Sequence, residues 1–172
     1  MLAHRWLKPC APLLLVLLTG LLPLPALAAP AKVFGWIEEA LLEPGQLPLK
    51  IKLDTGALTS SMDAQNLQPF KRNGEKWLRF TVEFENARTG QLQSKVFERR
   101  VERSVKVRGA GGSDHRPVVS MQLCIGQQLY DEQFTLNNRS KMNYPVLIGR
   151  RTLEKLGLID VSRTFLQPPK CS

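Results

Sequence analysis

Between positions 47 and 160 the chain alternates apolar and polar residues in several separate runs. Leu49, Ile51 and Leu53 interleave with Lys50 and Lys52, which is the period of a half-buried strand ending at Asp54. Leu78, Phe80, Val82 and Phe84 interleave with Arg79, Thr81 and Glu83. The turn-forming stretch Asn86 to Gly90 follows, and a return strand is expected over Leu92 to Val101, so this region reads as a long hairpin. Val119, Met121, Leu123 and Ile125 alternate up to Gly126-Gln127, with Tyr130, Phe134 and Leu136 beyond, which predicts a second hairpin. Val146-Leu147-Ile148 is continuously apolar and bounded by Gly149, as suits a strand covered on both faces. A brief helix is expected over Arg150 to Leu156, with Leu153 and Leu156 on one side and Gly157 placed to end it at a positive φ. A last strand is expected over Leu158 to Val161. The pattern is all-β, mostly antiparallel, with one short C-terminal helix.

The N-terminus breaks this pattern. His4, Arg5 and Lys8 precede an apolar run over Leu13 to Leu18 and then Ala26-Leu27-Ala28, the order of an export signal peptide over residues 1–28. Residues 29–172 then form a single domain, expected to be periplasmic or secreted and not stably inserted in a membrane. The residues before Cys10 do not suit lipid attachment.

The whole chain carries 24 Lys plus Arg against 15 Asp plus Glu, a formal charge of +9, and loss of Arg5 and Lys8 with the leader reduces it to +7. The excess favours anionic partners, yet no zinc-finger or aromatic-interleaved RNA motif is present, so nucleic acid is not an expected partner. Arg99 to Arg116 holds six basic residues and three glycines and reads as a solvated strand edge and loop. Outside the leader the cysteines are Cys124 and Cys171. An oxidising compartment permits a bridge between them, but one pair at arbitrary spacing favours a buried thiol and a free tail thiol.

Asp54-Thr55-Gly56-Ala57 leaves a strand directly into a tight loop, where backbone N–H groups can hold the carboxylate facing a cleft. One carboxylate is a weak water activator. Two that face each other share a proton, so that one serves as base and the other as acid. With one Asp-Thr-Gly in the chain, such a dyad requires a homodimer that sets Asp54 opposite its own copy. Ser60 and Ser61 have no base nearer than His115 in the sequence and are expected to cap the turn after Ala57. Trp36 and Trp77 are expected in the core.

Lys52 to Ala57, read with Tyr144 to Arg151 (YPVLIGRR), resembles the retropepsin-type aspartic peptidases. Asp54 to Ala64, Arg116 to Val119 and Leu136 to Arg151 together resemble the bacterial retropepsin-like group that carries an ATP-dependent zinc protease label, over roughly Val33 to Phe165. The resemblance implies a small closed or half-closed acid-protease barrel with a flap hairpin. It places Asp54 at the catalytic position, with Thr55, Gly56 and Ala57 in its loop and Ile148, Gly149 and Arg150 supporting it from behind. Leu58 stands where viral retropepsins carry an acid that pairs with the arginine after the apolar-apolar-glycine segment, which leaves Asp63 as the candidate partner of Arg150. The tip Asn86, Arg88, Thr89 and Gly90 is the candidate flap. The residues do not support the zinc or ATP label. His115 is the one histidine beyond the leader, no His-Glu-x-x-His occurs, and the glycine run 109–113 lacks a P-loop ending, so no metal or cofactor is expected. The expected activity is an exported aspartic endopeptidase acting on a peptide or protein substrate. The alternative is a non-catalytic peptide- or partner-binding module on the same scaffold, with a zinc protease a distant third.

Overall fold

A computed structural model describes residues 31–109 and 112–171, so the expected leader and Cys10 fall outside the described residues. In chain order the strands are β1 (Val33–Gly35), β2 (Ile37–Leu42), β3 (Leu47–Leu53), β4 (Ser60–Asp63), β5 (Gln65–Arg72), β6 (Glu75–Glu85) and β7 (Leu92–Arg100). They continue as β8 (Arg103–Gly109), β9 (Gly112–Ile125), β10 (Gln128–Asn137) and β11 (Val146–Ile148), then the helix α1 (Arg150–Leu156) and β12 (Leu158–Asp160). A seven-stranded sheet runs β10-β4-β11-β3-β2-β9-β8, and β9 also pairs with β10, so its strands close into a ring from which β8 hangs on β9. A three-stranded antiparallel sheet, β5-β6-β7, lies beside it. The expected alternation holds along β6, where Leu78, Phe80, Val82 and Phe84 are buried while Arg79 and Glu85 are exposed. Their burial is worth about 2 kcal/mol per side chain. They join Phe34, Ile51, Met62, Met121, Phe134 and Ile148 in one core. No helix among the described residues is long and apolar enough to cross a membrane.

Three ladders are parallel. β11 lies on β3 with Val146 opposite Ile51 and Ile148 opposite Leu53, β4 lies on β10, and β1 lies on β12. Gly157 ends α1 at φ +149°, and a side chain there would collide with the Lys32 carbonyl, so glycine is required on both counts.

The last residues fold back onto the start of the domain. Trp36 N donates to Arg163 O (3.1 Å), Phe165 N to Ile37 O (2.8 Å) and Lys170 N to Gly126 O (2.7 Å). Glu38 is fully buried, and its carboxylate accepts the N–H groups of Gly35, Leu166 and Gln167 at 2.6, 3.0 and 3.1 Å. Cys124 and Cys171 form a disulfide, Cα to Cα 5.9 Å, which overturns the expectation of two thiols. The tail that Glu38 anchors is what brings Cys171 to β9, and sequence spacing carries no sign of that anchor.

The basic stretch 99–116 is also more ordered than the sequence suggests. Arg103–Gly109 and Gly112–Val118 pair as an antiparallel arm. β9 has β10 as a neighbour only from Val118 towards its C-terminus, so the first half of β9 is paired by β8 alone.

Candidate active site

β3 alternates, so Leu53 enters the core while Lys52 and Asp54 face the other way. Asp54 N donates to Ile148 O (2.8 Å) and Ala57 N to Asp54 O (3.2 Å), which fixes the strand end against β11 and closes the tight loop. Within it, Gly56 N donates to Asp54 Oδ1 at 2.9 Å. Lys52 Nζ lies 3.4 Å from Asp54 Oδ2. The carboxylate is thus oriented by backbone and neighboured by a cation, and it opens on a groove of about 460 Å³.

The loop is gripped from behind. Gly149 passes so close to Thr59 that an added Cβ would lie 2.5 Å from its carbonyl carbon. Gly149 N donates to Ser60 Oγ (3.1 Å), and Arg150 N to Ala57 O (2.9 Å). Arg150 Nη1 donates to the Thr55 carbonyl at 2.8 Å. The expected pairing of Arg150 with Asp63 is therefore corrected: Arg150 holds the loop itself. Buried Asp63 instead accepts the backbone N–H of Arg139 and, at 3.4 Å, the Gln65 amide. Asp63 is the end residue of β4, on the side where Pro145 and Asn137 meet it, which is why the helix start cannot reach it.

Ser60 and Ser61 are likewise not turn caps but buried residues of β4. Ser60 Oγ lies 3.1 Å from Thr152 Oγ1, and the Thr152 hydroxyl donates to Glu132 at 3.2 Å, so the Ser60 proton points to Thr152. Glu132 also pairs with Lys155. This chain of polar groups links the back of the loop to α1 and β10.

The groove walls correct a further expectation. Trp36 is half-buried, not core, and meets Tyr144 edge-to-face at 6.3 Å between ring centres, so the two aromatics flank the carboxylate's groove with Leu147. Arg139 completes the lining. It carries no motif signal of its own in the sequence, and its Nε donates to Tyr144 O (3.4 Å). Burial holds its guanidinium below the ordinary arginine pKa. Asp63 opposes that shift, Arg116 adds to it, and Asp54 opposes it. At any pH near neutrality it remains a cation.

The tip named as a flap lies elsewhere. Asn86 bridges to Leu49, Ala87 N donates to Pro48 O (3.0 Å) and Arg88 Nε to Glu39 (2.6 Å). Asn86 Oδ1 also holds the N–H groups of Arg88 and Thr89. Asn86, Arg88, Thr89 and Gly90 are therefore fastened to β2 and to the half of β3 remote from Asp54, and none lines its groove. The arm that stands clear of the ring is β8–β9, and its Arg116 is the residue whose charge reaches Arg139. Along β8 only Val105 and Val107 are half-buried between exposed Ser104 and Lys106, too short an alternation to distinguish a paired arm from a solvated edge.

Comparison with known proteins places this geometry among relatives. The family model described as retropepsin-like aspartic endopeptidase RimB matches residues 33–170. A Shewanella pealeana protein named probable alpha-L-glutamate ligase is 37% identical over 120 residues, which is 68% of this chain and 25% of that protein. A Parasynechococcus marenigrum protein of the same name is 34% identical over 134 residues, 75% of this chain and 28% of that protein. The chain thus spans about a quarter of the length of the curated relatives it matches. A crystal structure of a Legionella pneumophila protein of unknown function superposes with a TM-score of 0.65 at 32% identity, covering 78% of this chain and 96% of that one.

Proposed function

Since the chain belongs to the RimB-like family of retropepsin-like aspartic endopeptidases, we propose that it is an exported peptidase that hydrolyses peptide bonds in acidic, glutamate-containing chains at a dyad of two Asp54 carboxylates. The observation that carries the reading is the Asp54 loop: a carboxylate at a strand end, oriented by Gly56 N–H, gripped from behind by Arg150 and Gly149, and open to a groove.

A second copy of the chain supplies the other carboxylate across a two-fold axis. The ionised member of the pair takes a proton from a water between them as its oxygen attacks the peptide carbonyl carbon. The protonated member gives its proton to the carbonyl oxygen, so a tetrahedral diol forms with no net charge. On collapse the dyad's proton passes to the amide nitrogen while one diol hydroxyl gives its proton to the ionised carboxylate, the C–N bond breaks, and a carboxyl and an amino end leave with the dyad again sharing one proton. Loop rigidity matters because a displacement of about 1 Å in either carboxylate loses the shared proton geometry.

The substrate class is supported by charge and by kinship. Lys52 and Arg139 line the groove, and Arg150 stands exposed behind the loop. Regions similar to this chain occur within proteins named as alpha-L-glutamate ligases, and hydrolysis of such a chain is the opposite chemistry to its synthesis. Export is supported by the leader pattern over residues 1–28 and by the Cys124–Cys171 bridge, since disulfides persist in oxidising compartments.

One observation favours the second reading, a peptide-binding module without catalysis: Lys52 Nζ sits 3.4 Å from Asp54 Oδ2, so the carboxylate already has an ion-pair partner within a single copy of the chain. The test is incubation of wild type and Asp54→Asn with glutamate-rich peptides, reading new ends by mass spectrometry, with sedimentation of the same samples. Cleavage by the dimer that Asp54→Asn abolishes is expected. An intact peptide in the presence of a wild type shown to be dimeric refutes the peptidase reading in favour of the binder.

A further inference from the structure

Arg139 is one of the residues that line the Asp54 groove. Asn138, the residue before it, lines a second hollow together with the root of the β8–β9 arm, and Leu67 and Pro117 are shared between that hollow and a third. The third, about 640 Å³, lies where β5 and β6 meet Val101 and Pro117. Its floor is apolar: Leu67, Pro69, Trp77 and Leu78. Trp77 was expected in the core, yet it is half-buried here, with its indole N–H lacking an acceptor among the described residues and the Arg72 guanidinium 4.4 Å over its ring.

The charges around this floor are unbalanced in a particular way. Lys71 and Lys76 stand directly opposite each other across the β5–β6 ladder, where like charges repel. Neither reaches an acidic partner among the described residues, whereas the arginines of the same sheet do: Arg72 and Arg79 pair with Glu98, and Arg100 with Glu75 and Glu102. β5 is also an edge of its sheet, with main-chain groups open to an added strand. An apolar cup, two uncompensated cations beside it and a free strand edge suit one occupant, an extended acidic peptide with a single apolar side chain.

We propose that this hollow is an exosite that seats an apolar side chain of the peptide while Lys71 and Lys76 pair with its flanking carboxylates, so that recognition extends from Asp54 past Asn138 to Trp77. The choice of an acidic occupant rests on the substrate reading above. The site would make the protein selective for acidic chains carrying an aliphatic or aromatic residue several positions from the bond cut.

The test uses purified protein carrying Asp54→Asn, so that peptides bind uncut, and fluorescein-labelled nonapeptides read by anisotropy. One is all glutamate; in the others a single leucine is walked along the chain. The expected result is that the best-placed leucine peptide binds at least ten-fold tighter than all-glutamate. Leu67→Ser, at an exposed position, should reduce that ratio below three. Lys71→Gln with Lys76→Gln should weaken the leucine peptide at least five-fold while changing the all-glutamate peptide less than two-fold. The Trp77 indole N–H resonance, assigned through Trp77→Phe, should move with the leucine peptide alone. Equal binding of both peptides, an unmoved Trp77 resonance, or a leucine advantage indifferent to these variants each overturns the exosite. Failure of the wild type to cut the all-glutamate peptide refutes the peptidase reading separately, because the anisotropy and the indole signal do not depend on cleavage.

Discussion

Replacing Gly149 with alanine isolates the contact on which the site's rigidity depends. The new Cβ would lie 2.5, 2.7 and 2.8 Å from the Thr59 carbonyl carbon, oxygen and nitrogen. All three are backbone atoms, so no side-chain rotation relieves the overlap, and an ordinary contact needs a retreat of about 1 Å. The two segments are joined by Gly149 N to Ser60 Oγ (3.1 Å), Arg150 N to Ala57 O (2.9 Å) and Arg151 N to Leu58 O (3.3 Å). Parting them by about 1 Å loses most of these bonds, at about 1 kcal/mol each. Overpacking elsewhere costs about 1–3 kcal/mol, so a loss of about 3–4 kcal/mol is expected. For a domain of this size that lowers Tm by roughly 10 °C. Thermal unfolding followed by circular dichroism measures it, with Gly56→Ala as control. There the nearest atom is a side-chain oxygen, Asp54 Oδ1 at 3.2 Å, with no backbone atom in the way, and the cost should stay below about 1 kcal/mol. A Gly149→Ala protein that melts within about 3 °C of wild type would refute the reasoning, because it would mean the two loops are free to separate.

Three further expectations concern the tail and the β12 turn. Cys124→Ala with Cys171→Ala opens a loop of 47 residues' separation; loop entropy sets a ceiling of about 4 kcal/mol, and a loss of about 2–4 kcal/mol is expected in urea unfolding. Glu38→Gln turns one acceptor oxygen into an NH₂ facing either the Gln167 N–H or those of Gly35 and Leu166. A loss of about 2 kcal/mol and faster hydrogen exchange at the Leu166 and Gln167 amides are expected, and unchanged exchange would contradict the anchor. Asp160 accepts the Ser162 hydroxyl and N–H and the Arg163 guanidinium, which hold its pKa down to about 2. A depressed folded pKa contributes stability above the unfolded value near 4 and loses it as pH falls through about 2. Carbon-detected NMR should show this midpoint, and one near 4 would mean the turn does not exist in solution.

Where burial falls on one face only, the sequence announced the fold. β3, β6, β9 and β10 showed as alternation, β11 as an apolar run, and α1 with its terminal Gly157 as a spaced pair of leucines before a glycine. The elements that escaped notice break that rule for identifiable reasons. β2 buries the carboxylate of Glu38, so its Ile-Glu-Glu pattern does not look like a strand. β4 buries polar and apolar residues alike, Ser60 to Asp63: Thr152 of α1 meets the Ser60 hydroxyl, Thr135 of β10 donates to the Ser60 carbonyl, and the Ser61 hydroxyl has no partner among the described residues. β5 is exposed almost throughout and carries Asn66 at positive φ. Of the site, Asp54, its loop, and Gly149 were legible because tight turns and close approaches demand particular residues. Arg139, Trp36 and Arg150's true partner were not, since they depend on which strands the ring brings side by side.

The ladder between β1 and β12 joins residues 33–35 to residues 158–160, and the tail then returns to Glu38. β1 therefore has no ladder partner until residues 158–160 have been made, and no shorter N-terminal fragment can form this separate two-stranded sheet. The domain acquires its final shape only once residues 158–167 have joined residues 33–38, and such contacts between distant positions make that step a slow one.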